Sequence, residues 1–385
     1  MAKNTTSANP VPDTAWLARG RHLGPEPERD VRRNLIALKA AGVVDDFLEL
    51  EPAEAARSTV LHPRDESADP GPSARRVFEA RWQPTEGITV RGQLTTYDPG
   101  GRRKSDDAVS WTLVAEAERA WDLEWASPAT VFWPDTETVL WDHDATGDVW
   151  LRAANMLPED DDELRRHLRD CARDSWFLHV VVHEAMTPDA VGQWTLTRFL
   201  PPGLRHRVVE HRASPQQAQI ADFAVKREFD VRLPRGGAVV LPVVPGQQGY
   251  EAERFTLRSV FLDGSEPVEL TSAIKELAAL PRPLGPEAEA ALTRLRQGWH
   301  LLTPDEELVH AQQMVSRYAE ALDAMTKSRD LYKDAADAAQ AALAEAGGGD
   351  AAPAAPLPGG SERPDASPLG GLTKAFGKLW GPGSK

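Results

Sequence analysis

The chain carries a single cysteine, Cys171, in 385 residues. One thiol excludes an intramolecular disulfide framework and any zinc site built on several cysteines. No run of 18 apolar residues occurs, so the sequence offers no membrane-spanning helix. Lys and Arg total 44 against 59 Asp and Glu, and the net charge of −15 opposes general binding to nucleic acid, whose phosphates call for clustered cations. Residues 1–20 lack the apolar stretch of a signal peptide, which makes a cytoplasmic location the expectation. There is no Gly-x-Ser-x-Gly elbow, no Walker loop and no Gly-x-Gly-x-x-Gly turn. Together these absences point away from the common hydrolase, NTPase and dehydrogenase scaffolds and toward a non-enzyme.

At 41% hydrophobic and 27% charged, the composition is that of a globular protein with room for one to three domains. Residues 1–25 read as a disordered N-terminus. Residues 26–62 read as a helical segment, because Val31, Leu35, Leu38, Ala41, Phe47 and Leu48 recur at helical spacing, with Gly42 as a break. From about 76 the pattern turns to strands. Ile88 to Leu94 alternates, and Trp111 to Val114, Thr130 to Trp133, Val139 to Trp141 and Val149 to Leu151 follow as short apolar runs. Residues 159–172 form a charged helix, and strands return at 176–185 and 193–200. Nine of the twelve tryptophans lie between Trp82 and Trp194, as suits sheets burying large rings against one another.

The most patterned stretch runs from Phe229 to Phe261. Phe229, Val231 and Leu233 alternate, Gly236-Gly237 breaks the run, Val239 to Pro242 follows, and Phe255, Leu257 and Phe261 resume the alternation. Three short antiparallel strands are the expectation. The series Phe229, Leu233, Gly236, Val239 to Pro242, Phe255, Leu257, Arg258 and Phe261 resembles the closing strands of the calpain C2-like β-sandwich. Thr130 to Trp133, the acids Glu159 to Glu163 and the strand Trp176 to Glu184 keep that family's order over roughly residues 125–265. Ala238 stands where the family favours an aromatic, the loop Val243 to Glu253 differs, and no calpain protease core is apparent. The resemblance implies a β-sandwich binding module, and with it acidic loops that take calcium or approach a membrane.

The fold class expected is therefore α+β: an antiparallel β-sandwich region over 76–270, followed by a helical C-terminal region over 272–346. Whether the first part is one sandwich or two sheet pairs split near 158–175 stays open. Within the helical region, residues 286–298 make one helix. Thr303-Pro304-Asp305-Glu306 then opens a long one with a capping box and a proline in the first turn. Leu308, Ala311, Val315, Tyr318, Leu322, Met325, Arg329, Tyr332, Ala336, Ala339, Leu343 and Ala346 follow a heptad whose only polar member is Arg329. That spacing suits a left-handed helix pair, either between copies or with a partner; packing on the helix's own domain is the alternative. Residues 347–368 are a Gly, Ala and Pro linker. In 369–385, Leu372, Phe376, Leu379 and Trp380 share a helical face beside Lys374 and Lys378, a segment fit for a protein groove or an anionic membrane surface.

Candidate chemistry is sparse. His179 and His183 lie four apart on a predicted strand, on one face, with Glu184 opposite and His206 and His211 beyond. Histidines meeting across strands can ligate zinc, but this spacing matches no zinc motif, and half-buried histidines are the plain alternative. Asp142, Asp144 and Asp148 copy the first half of a calcium loop without its closing glutamate, so an ordinary hairpin turn competes with calcium as the reason for them. Cys171 lies between Arg169 and Arg173 without a nucleophile signature and reads as a free structural thiol. No resident cofactor is expected, with calcium the candidate ion. The reading is of a non-enzymatic adaptor that recognises protein partners through the sandwich, the long helix and the tail. A calcium- or membrane-binding C2-like module and an enzyme with a dispersed His/Glu site are the alternatives.

Overall fold

The computed structural model describes residues 9–51, 74–98, 108–144, 148–171, 174–184, 194–244, 246–262 and 265–346. It is α+β, with two five-stranded sheets and a long C-terminal helix, as the sequence indicates. Strand β1 (Ala15–His22) precedes helix α1 (Pro27–Ala40), which starts on Pro27 and buries Val31 and Leu35 one turn apart. Strands β2 (Asp46–Leu50), β3 (Ala74–Thr85), β4 (Ile88–Tyr97) and β5 (Val109–Ala117) follow. The first sheet is antiparallel in the order β1-β5-β4-β3-β2. β3 turns into β4 at Glu86-Gly87, where Gly87 takes the positive φ of 75° that such a turn needs.

Two parts of the N-terminal reading are corrected here. Residues 15–22, expected to be disordered, pair along their whole length with β5. Phe47 and Leu48, read as helical, lie in β2, because Gly42 at φ 70° ends the helical course and the chain returns along β3.

The core of this half is aromatic. Trp16, Trp111, Trp133 and Trp141 are fully buried, with Trp133 stacked on Trp141 at 6.3 Å between centroids. Trp133 arrives from α2 (Ala129–Phe132), a single turn where the sequence pattern had suggested a strand. Ser127 Oγ accepts the Ala129 amide at 3.4 Å, and this local bond turns the apolar run into a helix end. Among the described residues, the runs at 139–141 and 149–151 form no ladder of their own: Trp150 bridges His143, Leu151 donates to the Asp142 carbonyl at 2.8 Å, and Leu140 accepts the Leu23 amide at 2.8 Å.

The second sheet comprises β6 (Ala154–Met156), β7 (Leu178–His183), β8 (Val208–Ala213), β9 (Ala238–Val240) and β10 (Thr256–Leu257), in the order β10-β9-β7-β8-β6. It is mixed: β8 runs parallel to both β6 and β7, while β9 is antiparallel to β7 and β10. Helices α3 (Asp161–Cys171) and α4 (Ala218–Phe229) cover one face of this sheet. Helix α5 (Val268–Ala279) covers the other. Every residue of β7 and β8 is buried, as expected of central strands covered on both faces. Residues 196–198, read as strand, form a 3-10 turn. Of the three closing strands, only β9 and β10 form. Phe229 ends α4, where Asp230 takes the left-handed conformation, so it leaves the strand in which the C2-like resemblance would put it.

Helix α6 (Pro286–Gln297) packs Ala288, Ala291, Leu292 and Leu295 into the tryptophan core. Helix α7 (Pro304–Ala346) runs for 43 residues, roughly 65 Å at 1.5 Å per residue. Among the described residues, 305–346 form a second unit, distinct from the first. The linker and the tail, with Leu372, Lys374, Phe376, Lys378, Leu379 and Trp380, lie outside the described residues. Among the described residues, no helix is long and apolar enough to cross a membrane.

Candidate metal centre

Four donor side chains come together on the α3/α4 face of the second sheet. His167 and Cys171 are one turn apart on α3 and share a face. The parallel register sets Val181 of β7 beside His211 of β8, and His179 beside Val209. His179 and His211 are therefore diagonal neighbours on one face, under α3. Their rings stack at 5.3 Å with an interplanar angle of 19°.

The contacts form a continuous line. His167 Nε2 lies 3.1 Å from His211 Nδ1, and His211 Nε2 lies 3.0 Å from His179 Nδ1. His179 Nε2 lies 3.3 Å from Asp174 Oδ2, and Cys171 Sγ lies 3.7 Å from His211 Nε2. Asp174 is fixed from outside. Its Oδ1 accepts the Trp176 amide at 2.8 Å and an Arg19 guanidinium N–H at 3.3 Å. Arg19 in turn lies over the Trp176 ring, 5.6 Å from its centroid.

Electrostatics polarise this group. Burial favours the neutral thiol, but the positive charge of His179, with His211 and hydrogen bonds from His167 and His179 beside it, outweighs burial and holds Cys171 well below its usual range. Burial likewise favours neutral His179, yet the Cys171 thiolate and the Asp174 carboxylate raise it to about 10. Burial pushes His211 down. Asp174 is held below the usual carboxylate range despite its burial, because His179 bonds to it and Arg19 lies beside it. A low-pKa thiol next to two imidazoles is both a nucleophile and a soft metal ligand. Here it is 6% exposed, and His179 and His211 are 5% and 1% exposed, so neither a substrate nor bulk water has ready approach.

The same side chains are of the types that hold a transition metal. One donor atom from each of His167, Cys171 and His211 lies within 4.8 Å of the others, and among the described residues no other trio of His, Cys, Asp or Glu gathers in this way. Around a tetrahedral zinc, two nitrogens stand about 3.3 Å apart and a nitrogen and a thiolate about 3.6 Å apart. His211 Nε2 stands 3.0 Å from His179 Nδ1 and 3.7 Å from Cys171 Sγ, close to those values, while His167 Nε2 lies against the other nitrogen, His211 Nδ1, at 3.1 Å. His179 stands beside the trio as a fourth donor, and the carboxylate on its far nitrogen is the outer partner that ligating histidines usually have.

The sequence-derived candidates divide accordingly. His179 and His211 meet, while His183 lies beyond them on β7, near the charges of Glu184 and Arg235. Glu184 faces Arg212 at 3.8 Å. His206 packs against Trp141, 5.0 Å between centroids, away from the cluster. His167 and Asp174 were not singled out by the sequence, and Cys171 was read there as a plain structural thiol. The signal in the sequence is the His-x-x-x-Cys pair on a charged helix. Asp142, Asp144 and Asp148 are not brought together. Asp142 accepts Arg152 Nε at 2.9 Å, Asp144 lies 3.9 Å from Arg19, and Asp148 accepts Arg21 at 2.7 Å. The heptad residues Leu308, Val315, Tyr318, Leu322, Met325 and Tyr332 are all exposed on α7. No protein-family model, no curated protein and no solved structure matches this chain significantly.

Proposed function

We propose that this chain is a non-enzymatic scaffold whose mixed-sheet half is fastened by a zinc-class ion on His167, Cys171, His179 and His211. The observation that carries this reading is the gathering of one donor atom each from His167, Cys171 and His211 within 4.8 Å beneath α3, with His179 against His211 and a carboxylate on the far nitrogen of His179. The donor set selects the ion: thiolate and imidazole suit zinc, whereas calcium takes oxygen ligands. Burial selects the role, since catalytic zinc keeps an open position and structural zinc does not. The ion would tie α3 to β7 and β8, which meet from separate parts of the chain.

Cobalt substitution tests the reading. Cobalt added to the metal-stripped full chain should give a thiolate-to-cobalt charge-transfer absorption that is lost in Cys171→Ser and weakened in His167→Gln, His179→Gln and His211→Gln. A cobalt spectrum unchanged by Cys171→Ser would overturn it.

A second reading, self-association through α7, is favoured by its exposed seam. Leu308, Val315, Tyr318, Leu322, Met325 and Tyr332 are each 57–76% exposed, along a repeat that matches a second helix of the same kind. A parallel or antiparallel pair of copies would bury that seam and give the scaffold two heads.

A further inference from the structure

An open cleft of about 810 Å³ is lined by residues from 124–135, by Arg152, and by residues from 195–198 and 202–206. Its walls are basic and rich in hydroxyls. Arg152, Arg198 and Arg205 face it, as do Ser127, Thr130, Thr195 and Thr197; the acids lining it are Glu124 and Asp135.

The charges there differ in what they already bind. Arg152 is committed: it pairs with Asp135, donates to Asp142 and lies over Trp141, 4.9 Å from the ring centroid. Glu124 faces Lys275 at 3.8 Å. Arg198 lies 3.7 Å over the Trp194 ring, and Arg205 donates Nε to the Leu200 carbonyl at 3.3 Å. Among the described residues, neither Arg198 nor Arg205 has a carboxylate partner, and the hydroxyls of Thr195 and Thr197 have no hydrogen-bond partner.

His206 is the independent observation. It lines the same cleft, is 3% exposed, and has no hydrogen-bond partner for either ring nitrogen. A buried polar group left without partners is destabilising, so such groups persist mainly where something else meets them. The ring is neutral at pH 7: burial, then Arg152 and Arg205, push it down to about 3. It can therefore offer one donor and one acceptor without adding charge.

We propose that this cleft binds a small phosphorylated compound, with Arg198 and Arg205 gripping the phosphoryl oxygens and Thr195 and Thr197 donating beside them. Two guanidinium groups held in place by a ring and a carbonyl present forks that match phosphate oxygens. Hydroxyl donors suit an acceptor-only group, and the volume accommodates a nucleotide-sized ligand. This site is independent of the metal centre.

The test is calorimetric titration of the full-length protein with inorganic pyrophosphate, ADP and citrate at fixed ionic strength. The proposal expects one-to-one binding of pyrophosphate or ADP, weakened at least tenfold by Arg198→Gln and by Arg205→Gln, and unaltered by Arg227→Gln on the exposed side of α4. No saturable binding of either phosphate compound, binding of citrate alone, or binding that Arg198→Gln leaves within twofold would each overturn it. Arg205→Gln also removes the bond to Leu200, so if that variant fails to fold, Arg198→Gln decides alone.

Discussion

Replacing His206 with phenylalanine should flatten the acid side of this protein's stability curve. His206 is buried against Trp141, and its folded-state pKa is about 3, against roughly 6.5 in an unfolded chain. Between those values the unfolded chain holds a proton that the folded chain does not. Stability therefore falls as pH falls from about 6.5 to about 3, and His206 has no further effect above or below that window. One proton corresponds to roughly 1.4 kcal/mol per pH unit, or about 5 kcal/mol over the whole window. Phenylalanine keeps a planar ring against Trp141 and removes two nitrogens that lack partners. Urea unfolding of the wild-type chain and His206→Phe at pH 6.5, 5.5 and 4.5 reads the effect. The difference in unfolding free energy between the two proteins should change by roughly 2 kcal/mol over those two units, since the unfolded ring is only half protonated at pH 6.5, in favour of the variant at the acid end. Other titrating groups are common to both proteins and cancel. Parallel pH profiles would refute the reasoning, since they would mean that His206 takes up its proton without resistance from its surroundings.

Asp174→Asn should leave the donors in place while loosening His179. Metal affinity should drop about 10- to 100-fold in competition with a chromophoric chelator. Gly237→Ala should destabilise by about 1–3 kcal/mol in thermal unfolding. A Cβ there would meet the Leu257 carbonyl oxygen at 1.9 Å, at the pairing of β9 with β10. Leu322→Asp combined with Met325→Asp should weaken self-association by roughly 3–6 kcal/mol, read as a shift toward monomer in light scattering. Both side chains are exposed on α7, so the fold of the first unit should be untouched.

What the sequence made legible is what rests on local pattern. The start and length of α7, the charged helix α3, and the strands β4, β5 and β7 all announce themselves by local sequence signals. Strand β8 did not, because Val-Val-Glu-His-Arg-Ala carries three polar residues in a buried strand. Glu210 and Arg212 satisfy one another there at 2.8 Å, and Glu210 also accepts the Leu196 amide at 2.7 Å. Strand β1 was hidden for a different reason: its Arg19 and Arg21 look like a polar terminus until Asp174 and Asp148 are in place to pair them. The site follows the same division. His179 and His211 drew notice as histidines near strands. Their meeting depends on a parallel register between β7 and β8 that no short-range pattern encodes, and with it go the roles of His167, Cys171 and Asp174.

The most direct test of the central claim is the metal content of the purified full-length chain, measured by elemental mass spectrometry against protein concentration, with Cys171→Ser prepared alongside. About one zinc-class ion per chain, retained through gel filtration and lost in Cys171→Ser, is what the donor cluster predicts. A folded wild-type chain that carries no transition metal, and takes up none when zinc is supplied, would contradict it.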